Sequence, residues 1–154
     1  MQNTKTDTAG FTFVELLIVV VTMGLIAAAV APSFARGYAG AARRSANREV
    51  TATLFRTRAI AIQRSRAARV VRTGNALQVW VADTSGTLVM VGGSRDFGTL
   101  YGVTVAATPG DTLQFDPRGF AITGSQTPRI TLTNGSSVDT VCVLGLGRIA
   151  SRGC

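Results

Sequence analysis

No histidine occurs anywhere in this chain, and its only cysteines are Cys142 and Cys154. Without an imidazole there is no Ser-His-Asp triad and no histidine general base, and two thiols alone are too few for nearly all zinc constellations. Carboxylates are scarce as well: 8 acidic residues stand against 16 basic ones, for a net charge of +8. Beyond the first apolar stretch the acids Glu49, Asp83, Asp96, Asp111, Asp116 and Asp139 are scattered singly rather than paired, which speaks against general acid–base work by two carboxylates. The composition points away from an enzyme and implies no cofactor and no metal. Lys5 is the only lysine, so the positive charge lies almost wholly in arginine.

What the sequence does have is one long apolar run. Ten polar residues end in Gly10, and the chain then reads Phe11-Thr12-Phe13-Val14-Glu15-Leu16-Leu17-Ile18-Val19-Val20-Val21. The 21 residues from Phe11 to Ala31 would rise about 31 Å as a helix and so match a hydrocarbon core of about 30 Å. Glu15 lies inside this segment, where an ionised side chain costs roughly 2.5–3.5 kcal/mol at the centre of the bilayer, so it calls for a partner or a task. A secretory signal peptide is one alternative, since Ala27-Ala28-Ala29 and Ala29-Val30-Ala31 resemble cleavage sites. Against it, Lys5 is balanced by Asp7, the run is too long, and Glu15 interrupts it. An ordinary single-pass anchor explains the length but not the junction itself.

At Gly10-Phe11-Thr12-Phe13-Val14-Glu15 the sequence resembles the class III signal of type IV pilins and type II secretion pseudopilins. In that family a prepilin peptidase cuts after the glycine and methylates the new amino terminus. The resemblance implies cleavage between Gly10 and Phe11, N-methylation of Phe11, and an assembly role for Glu15. That carboxylate would pair with the terminal amine of an adjacent subunit. The resemblance also makes Pro32 the helix-weakening proline of the family. Proline removes a helical hydrogen bond and kinks the helix.

From Ala41 to about Arg69 the pattern is helical. Ala46, Val50, Leu54, Thr57, Ala61 and Ala68 form one face, with Ile60 and Val71 at its margin, and this face should pack on a sheet. Arg44, Arg48, Arg56, Arg58, Arg66 and Arg69 fall away from it, Arg64 violates the pattern, and Phe55 with Ile62 makes a small outward apolar stripe. The arginines read as a solvated face, as contacts to neighbouring subunits or anionic headgroups, or as a phosphate-binding surface, and charge alone does not separate these.

After Gly74 the period changes to two. Leu77, Val79 and Val81 mark a strand, and Thr84-Ser85-Gly86 turns into Thr87–Val91 to make a hairpin. Thr99–Ala106, Thr112–Phe115, Phe120–Thr123, Arg129–Thr133 and Val138–Leu144 are further strand candidates, separated by turns such as Asp116-Pro117-Arg118-Gly119 and Asn134-Gly135. The expected fold is α+β: a long N-terminal helix, half membrane-embedded and half amphipathic, packed on a C-terminal antiparallel sheet. Arg58-Ala59-Ile60, Phe115-Asp116-Pro117-Arg118-Gly119 and Gly147-Arg148 resemble the GspH/FimT group of minor pilins and pseudopilins.

Some members of that group bind DNA for natural transformation through a tail carrying Gly-Arg-x-Arg. Here the tail is Gly147-Arg148-Ile149-Ala150-Ser151-Arg152, so Arg148 matches while the second arginine is displaced to Arg152. The competing structural reading places Gly147 at a turn or bulge and Arg148 on the last strand. Arg95, Arg118 and Arg129 are the remaining arginines that a DNA surface would draw on. In an exported chain, Cys142 and Cys154, with eleven residues between them, read as a disulfide pinning the tail, the alternative being one buried and one free thiol. Gly145-Leu146-Gly147-Arg148-Ile149-Ala150 fits a loose Gly-x-Gly-x-x-Ala pattern but has no room for the helix phosphate binding needs. Asn134-Gly135-Ser136 is formally a glycosylation sequon that a tight turn already explains.

The organisation expected is a leader over 1–10, a transmembrane and filament-core helix over 11–31, and a globular domain over 32–154. The resemblance implies a structural minor pilin or pseudopilin of a type II secretion pseudopilus or type IV pilus, anchored in the bacterial inner membrane with its C-terminal domain in the periplasm. Its partners would be other pilin or pseudopilin subunits, the prepilin peptidase and the assembly platform. A DNA-binding minor pilin for DNA uptake is the alternative.

Overall fold

A run of apolar and small residues continues into the amphipathic stretch, and it forms one helix, α1, over Phe13–Arg64. The computed structural model describes residues 12–151, with the backbone alone for residues 31–36. Gly10, Phe11, Arg152 and Cys154 lie outside the described residues. The chain forms two compact units, Met1–Tyr38 and Ala39–Cys154.

In the first unit, Phe13–Val30 has a mean hydropathy of 2.6, and the described residues bury none of it. Its single hydroxyl-bearing residue, Thr22, returns its Oγ1 to the carbonyls of Ile18 and Val19 at 2.9 Å each, which removes a free donor from an apolar face. Pro32 falls within the helical backbone run, and its side chain lies outside the described residues.

In the second unit, Ala46, Val50, Leu54, Thr57 and Ala61 are fully buried, one per turn of α1 as the sequence pattern predicts. Thr57 is tolerated there because its Oγ1 donates to the Thr53 carbonyl at 2.8 Å. The helix ends five residues before the expected Arg69. Ser65 takes a left-handed φ of 50°, the Ser65 N–H donates to Ile62 O at 3.1 Å and the Arg66 N–H to Ala61 O at 3.1 Å. That pair of bonds is a Schellman cap. Ala68 is buried as expected, but from strand β1, Ala68–Thr73, rather than from the helix, and Val71 lies on that strand too.

Two antiparallel sheets follow. The first comprises β1 with β2 Ala76–Ala82, β3 Leu88–Met90, β4 Arg95–Asp96, β6 Thr112–Phe115 and β7 Ala121–Ile122; its order is β3-β2-β1-β6-β7, with β4 also pairing β2. The second comprises β5 Thr104–Thr108, β8 Arg129–Asn134, β9 Ser137–Val143 and β10 Ile149–Ala150, in the order β10-β9-β8-β5. Ala68 pairs with both Val81 and Phe115, and Val70 with Val79 and Leu113, so one face of the first sheet is a continuous apolar surface. With Ile130, Leu132, Val141 and Val143 from the second sheet it closes one core around the helix stripe.

The β2–β3 hairpin and the strands at 112–115, 129–134 and 137–143 agree with the period-two reading. Asn134 pairs with Ser137, leaving Gly135-Ser136 as a two-residue turn with Gly135 at φ 57°, the geometry an Asn-Gly hairpin favours. The expected strand at Thr99–Ala106 is instead a short helix, α2, Phe97–Tyr101, followed by β5. The Asp96 carboxylate caps that helix by accepting from Thr99 N at 3.0 Å, Gly102 ends it at φ 62°, and the fully buried Phe97 anchors it. Local capping therefore overrides the β-propensity of Thr99-Leu100-Tyr101.

Candidate functional site

Three pieces of sequence far apart in the chain converge at one place. The first is Arg58 on α1, whose Nε donates to Gly119 O at 2.9 Å across a separation of 61 residues. The second is the turn Asp116-Pro117-Arg118-Gly119. Asp116 Oδ1 accepts from the backbone N–H groups of Arg118 and Phe120, each at 2.9 Å, and the Gly119 N–H closes on Asp116 O at 2.9 Å. Gly119, at φ 83°, is buried, and a Cβ on it would come within 2.7 Å of Ile62 Cδ1.

The third piece is the loop between β9 and β10. There the Gly147 N–H donates to Leu144 O at 2.7 Å and the Leu144 N–H to Arg148 O at 2.9 Å. Gly147 has φ 74°, and a Cβ there would stand 2.0 Å from Gly119 O and 2.9 Å from Arg58 Nε. Only glycine fits, on grounds of both conformation and space. The guanidinium thus ties the helix to one turn while the second turn lies against that same carbonyl. The Ala121 N–H, donating to Gly145 O at 3.2 Å, reinforces the contact between the turns.

The contacts of this node are those of a fastener: they fix two loops to the helix. The Gly147 turn precedes β10, and Arg148 is exposed just before that strand rather than on it, where the structural reading of the sequence puts it. The neighbouring turn presents Arg118, whose guanidinium lies 5.9 Å over the Phe120 ring and 3.6 Å from Asp116 Oδ2. Arg95 pairs with Glu49 at 3.7 Å and Arg129 starts β8. Neither belongs to this node.

The sequence matches the family described as type II transport protein GspH over residues 46–147, more than half of the chain. This chain belongs to the GspH family. The fold agrees with that of a solved relative: the type IV minor pilin FimU of Pseudomonas aeruginosa (strain PAO1) superimposes in two crystal forms. In one the TM-score is 0.58 at 17% identity, covering 72% of this chain and 88% of FimU. In the other it is 0.57 at 18% identity, covering 71% and 92%. No curated protein matches the sequence significantly. A GspH-family chain with a pilin fold and an apolar N-terminal helix is a minor pilin or pseudopilin-like structural subunit, of a family whose subunits are generally not enzymes.

Glu15 stands in the first turn of α1, where its Oε2 accepts from both the N–H and the Oγ1 of Thr12 at 3.2 Å, and the Glu15 N–H donates to Thr12 Oγ1 at 3.2 Å. This reciprocal arrangement is a capping box, Thr-x-x-Glu. The spacing of Thr12 and Glu15 carries that signal, although in the linear sequence Glu15 stands out first as a charge in need of a partner on another molecule. Cys142 is buried on β9, opposite Ala150 of β10. What the linear sequence does not show is that Arg58, Gly119 and Gly147, three separate family likenesses, touch.

Proposed function

We propose that this chain is a subunit of a type IV pilus or type II secretion pseudopilus, held in the inner membrane by its Phe11–Ala31 segment and inserted through that segment into the filament. In this reading the prepilin peptidase cleaves between Gly10 and Phe11 and methylates Phe11. The domain from 32 onward is carried outside the membrane, and a disulfide between Cys142 and Cys154 holds the tail. The observation that carries the reading is the wholly uncovered apolar helix with a carboxylate positioned in its first turn. The Thr12 cap uses Oε2 of Glu15, and in this reading Oε1 accepts from the amine of a neighbouring subunit. A carboxylate near a helix N-terminus is also favoured by the helix dipole.

Processing and assembly separate experimentally. Intact-mass analysis of membrane-extracted protein should give a chain beginning at a singly methylated Phe11, and Gly10→Ala should leave the leader in place. Glu15→Ala should be processed and membrane-inserted but poorly incorporated into sheared filaments. Normal incorporation would contradict the assembly role.

A second reading, a filament subunit that also binds DNA, draws support from one arrangement: the contact between Gly119 and Gly147 brings the exposed Arg118 and Arg148 turns together. Arginines on adjacent turns neutralise phosphates without base-specific geometry. Duplex DNA titrated against the detergent-solubilised chain should then bind with a steep salt dependence that weakens in Arg148→Ala, and absence of binding at low salt would eliminate this reading.

A further inference from the structure

A strand at the border of a sheet leaves every second N–H and C=O without a ladder partner, and most borders of this fold are closed. β5 is sealed by the end of the β1–β2 hairpin: the Val105 N–H donates to Asn75 Oδ1 at 3.1 Å, and Val105 O accepts from Arg72 Nη1 at 3.3 Å. β7 turns its Ala121 N–H to Gly145 O at 3.2 Å. β4 is two charged residues, Arg95 and Asp96, and β10 is two residues long. Among the described residues that leaves β3 as the open border.

The alternation of the β2–β3 ladder decides which groups of that border are free. The Asp83 N–H donates to Thr87 O and the Val91 N–H to Val79 O, each at 2.8 Å, and Val81 faces Val89 between them. In an antiparallel ladder the residues between bonded pairs turn their N–H and C=O outward. Here these are Leu88 and Met90, and no backbone bond outside the ladder reaches either. The chain carries a net charge of +8, yet no charged residue occurs from Thr87 to Ser94. Val89 and Met90 are 47% and 42% exposed. The strand thus lacks the charge, proline or cover that protects a border from pairing.

We propose that the β3 border is a self-pairing surface, on which a second copy of this chain lays its own β3 antiparallel about a two-fold axis at Val89. The segment is its own complement. Leu88 of each copy stands opposite Met90 of the other, so the outward N–H and C=O groups of both residues are satisfied by mutual bonds. The side chains of Met90 and Leu88 then meet across the junction, on the sheet face that carries Trp80. Two chains of net charge +8 repel one another, and an uncharged border is where they approach at least cost. The occupant has to be an uncharged, β-forming extended segment. A second copy supplies one already held extended by its own β2, without the ordering cost that a flexible segment meets on binding.

The test is disulfide cross-linking of the full-length chain in detergent micelles under mild oxidation, with the wild type as control for Cys142 and Cys154. The axis brings the two Val89 Cα atoms to about 4.5 Å, the spacing of a non-hydrogen-bonded pair, which a disulfide spans. V89C should therefore run mainly as a covalent dimer. L88C alone and M90C alone should stay mainly monomeric, because each faces the other residue, while a mixture of L88C and M90C should cross-link. Met90→Pro removes an outward N–H but no ladder bond, so V89C/M90P should cross-link about tenfold less than V89C. V89C/L88K, which leaves the backbone untouched, should fall as well. Circular dichroism verifies folding, and if M90P does not fold, L88K alone decides. Equal cross-linking of V89C, L88C and M90C means random collision in the micelle and overturns the proposal. So does a V89C chain that stays monomeric, or a V89C dimer undiminished by the folded second-site variants. Cross-linking of V89C in native membranes to other proteins and not to itself overturns it in favour of a foreign strand.

Discussion

Gly147 has no room for a side chain. A Cβ would stand 2.0 Å from the Gly119 carbonyl at a left-handed φ of 74°, so Gly147→Ala must both strain the backbone and push the two turns apart. The expected cost is about 2–4 kcal/mol, read as a lower urea midpoint of the Trp80 signal at unchanged m-value. Arg58→Lys removes the Nε donor to that carbonyl while retaining the charge, and should cost about 1–2 kcal/mol. Charge retention without rescue would establish that planar hydrogen-bond geometry is what matters. Asp83 supplies a pH-dependent term. The Ser85 hydroxyl first, then the Ser85 and Thr87 N–H groups and the Arg66 charge, hold its carboxyl below the ordinary value, against some desolvation. A depressed folded-state value means that the stabilisation is complete above the unfolded carboxylate range and is lost as the pH falls through the folded value. Asp83→Asn should therefore flatten the acid limb of the stability profile.

At the scale of elements, the two ends of α1 are defined by different devices. The start is the Thr12–Glu15 capping box, and Thr12→Ala should leave its first turn less protected from amide exchange, with little effect beyond residue 17. The end is a Schellman cap built on Ser65 rather than glycine. Ser65→Gly relieves the left-handed strain and should stabilise the second unit by about 0.5–1 kcal/mol; a loss of stability there would mean that the Ser65 side chain has a role of its own. The same cap explains why periodicity overruns the helix. Ala68 continues the three-and-four spacing in the sequence, and only the reversal at Ser65 assigns it to a strand, where it is buried between Val81 and Phe115.

At the scale of the whole molecule, Arg43 and Asp139 join the helix to the second sheet at 2.9 Å. The pair is partly covered, so Asp139→Asn should be more disruptive than removing an exposed pair. Its loss should also free Arg43. The proposed Cys142–Cys154 bridge belongs to this scale too. Cys154→Ser should lower stability by about 3 kcal/mol in the chain-entropy picture, with mass analysis under non-reducing conditions checking that the wild-type thiols are absent. The long apolar N-terminal helix, the α+β order, the one-per-turn helix stripe and most strands are legible in the sequence. Each depends on a local period or composition: an 18-residue stretch at mean hydropathy 2.6, or alternation such as Leu77-Gln78-Val79-Trp80-Val81. The short helix at Phe97–Tyr101 is not, because an Asp96 cap and a buried Phe97 outweigh a β-prone composition. Neither is the meeting of Arg58, Gly119 and Gly147, nor the exposure of Arg44 and Arg48 beside an arginine that is already paired. Local order follows from interactions a few residues long, which the sequence displays directly. Which arginine is spent on the fold and which stays exposed is decided by hydrogen bonds spanning 61 and 96 residues, and those exist only once the sheets have closed on the helix.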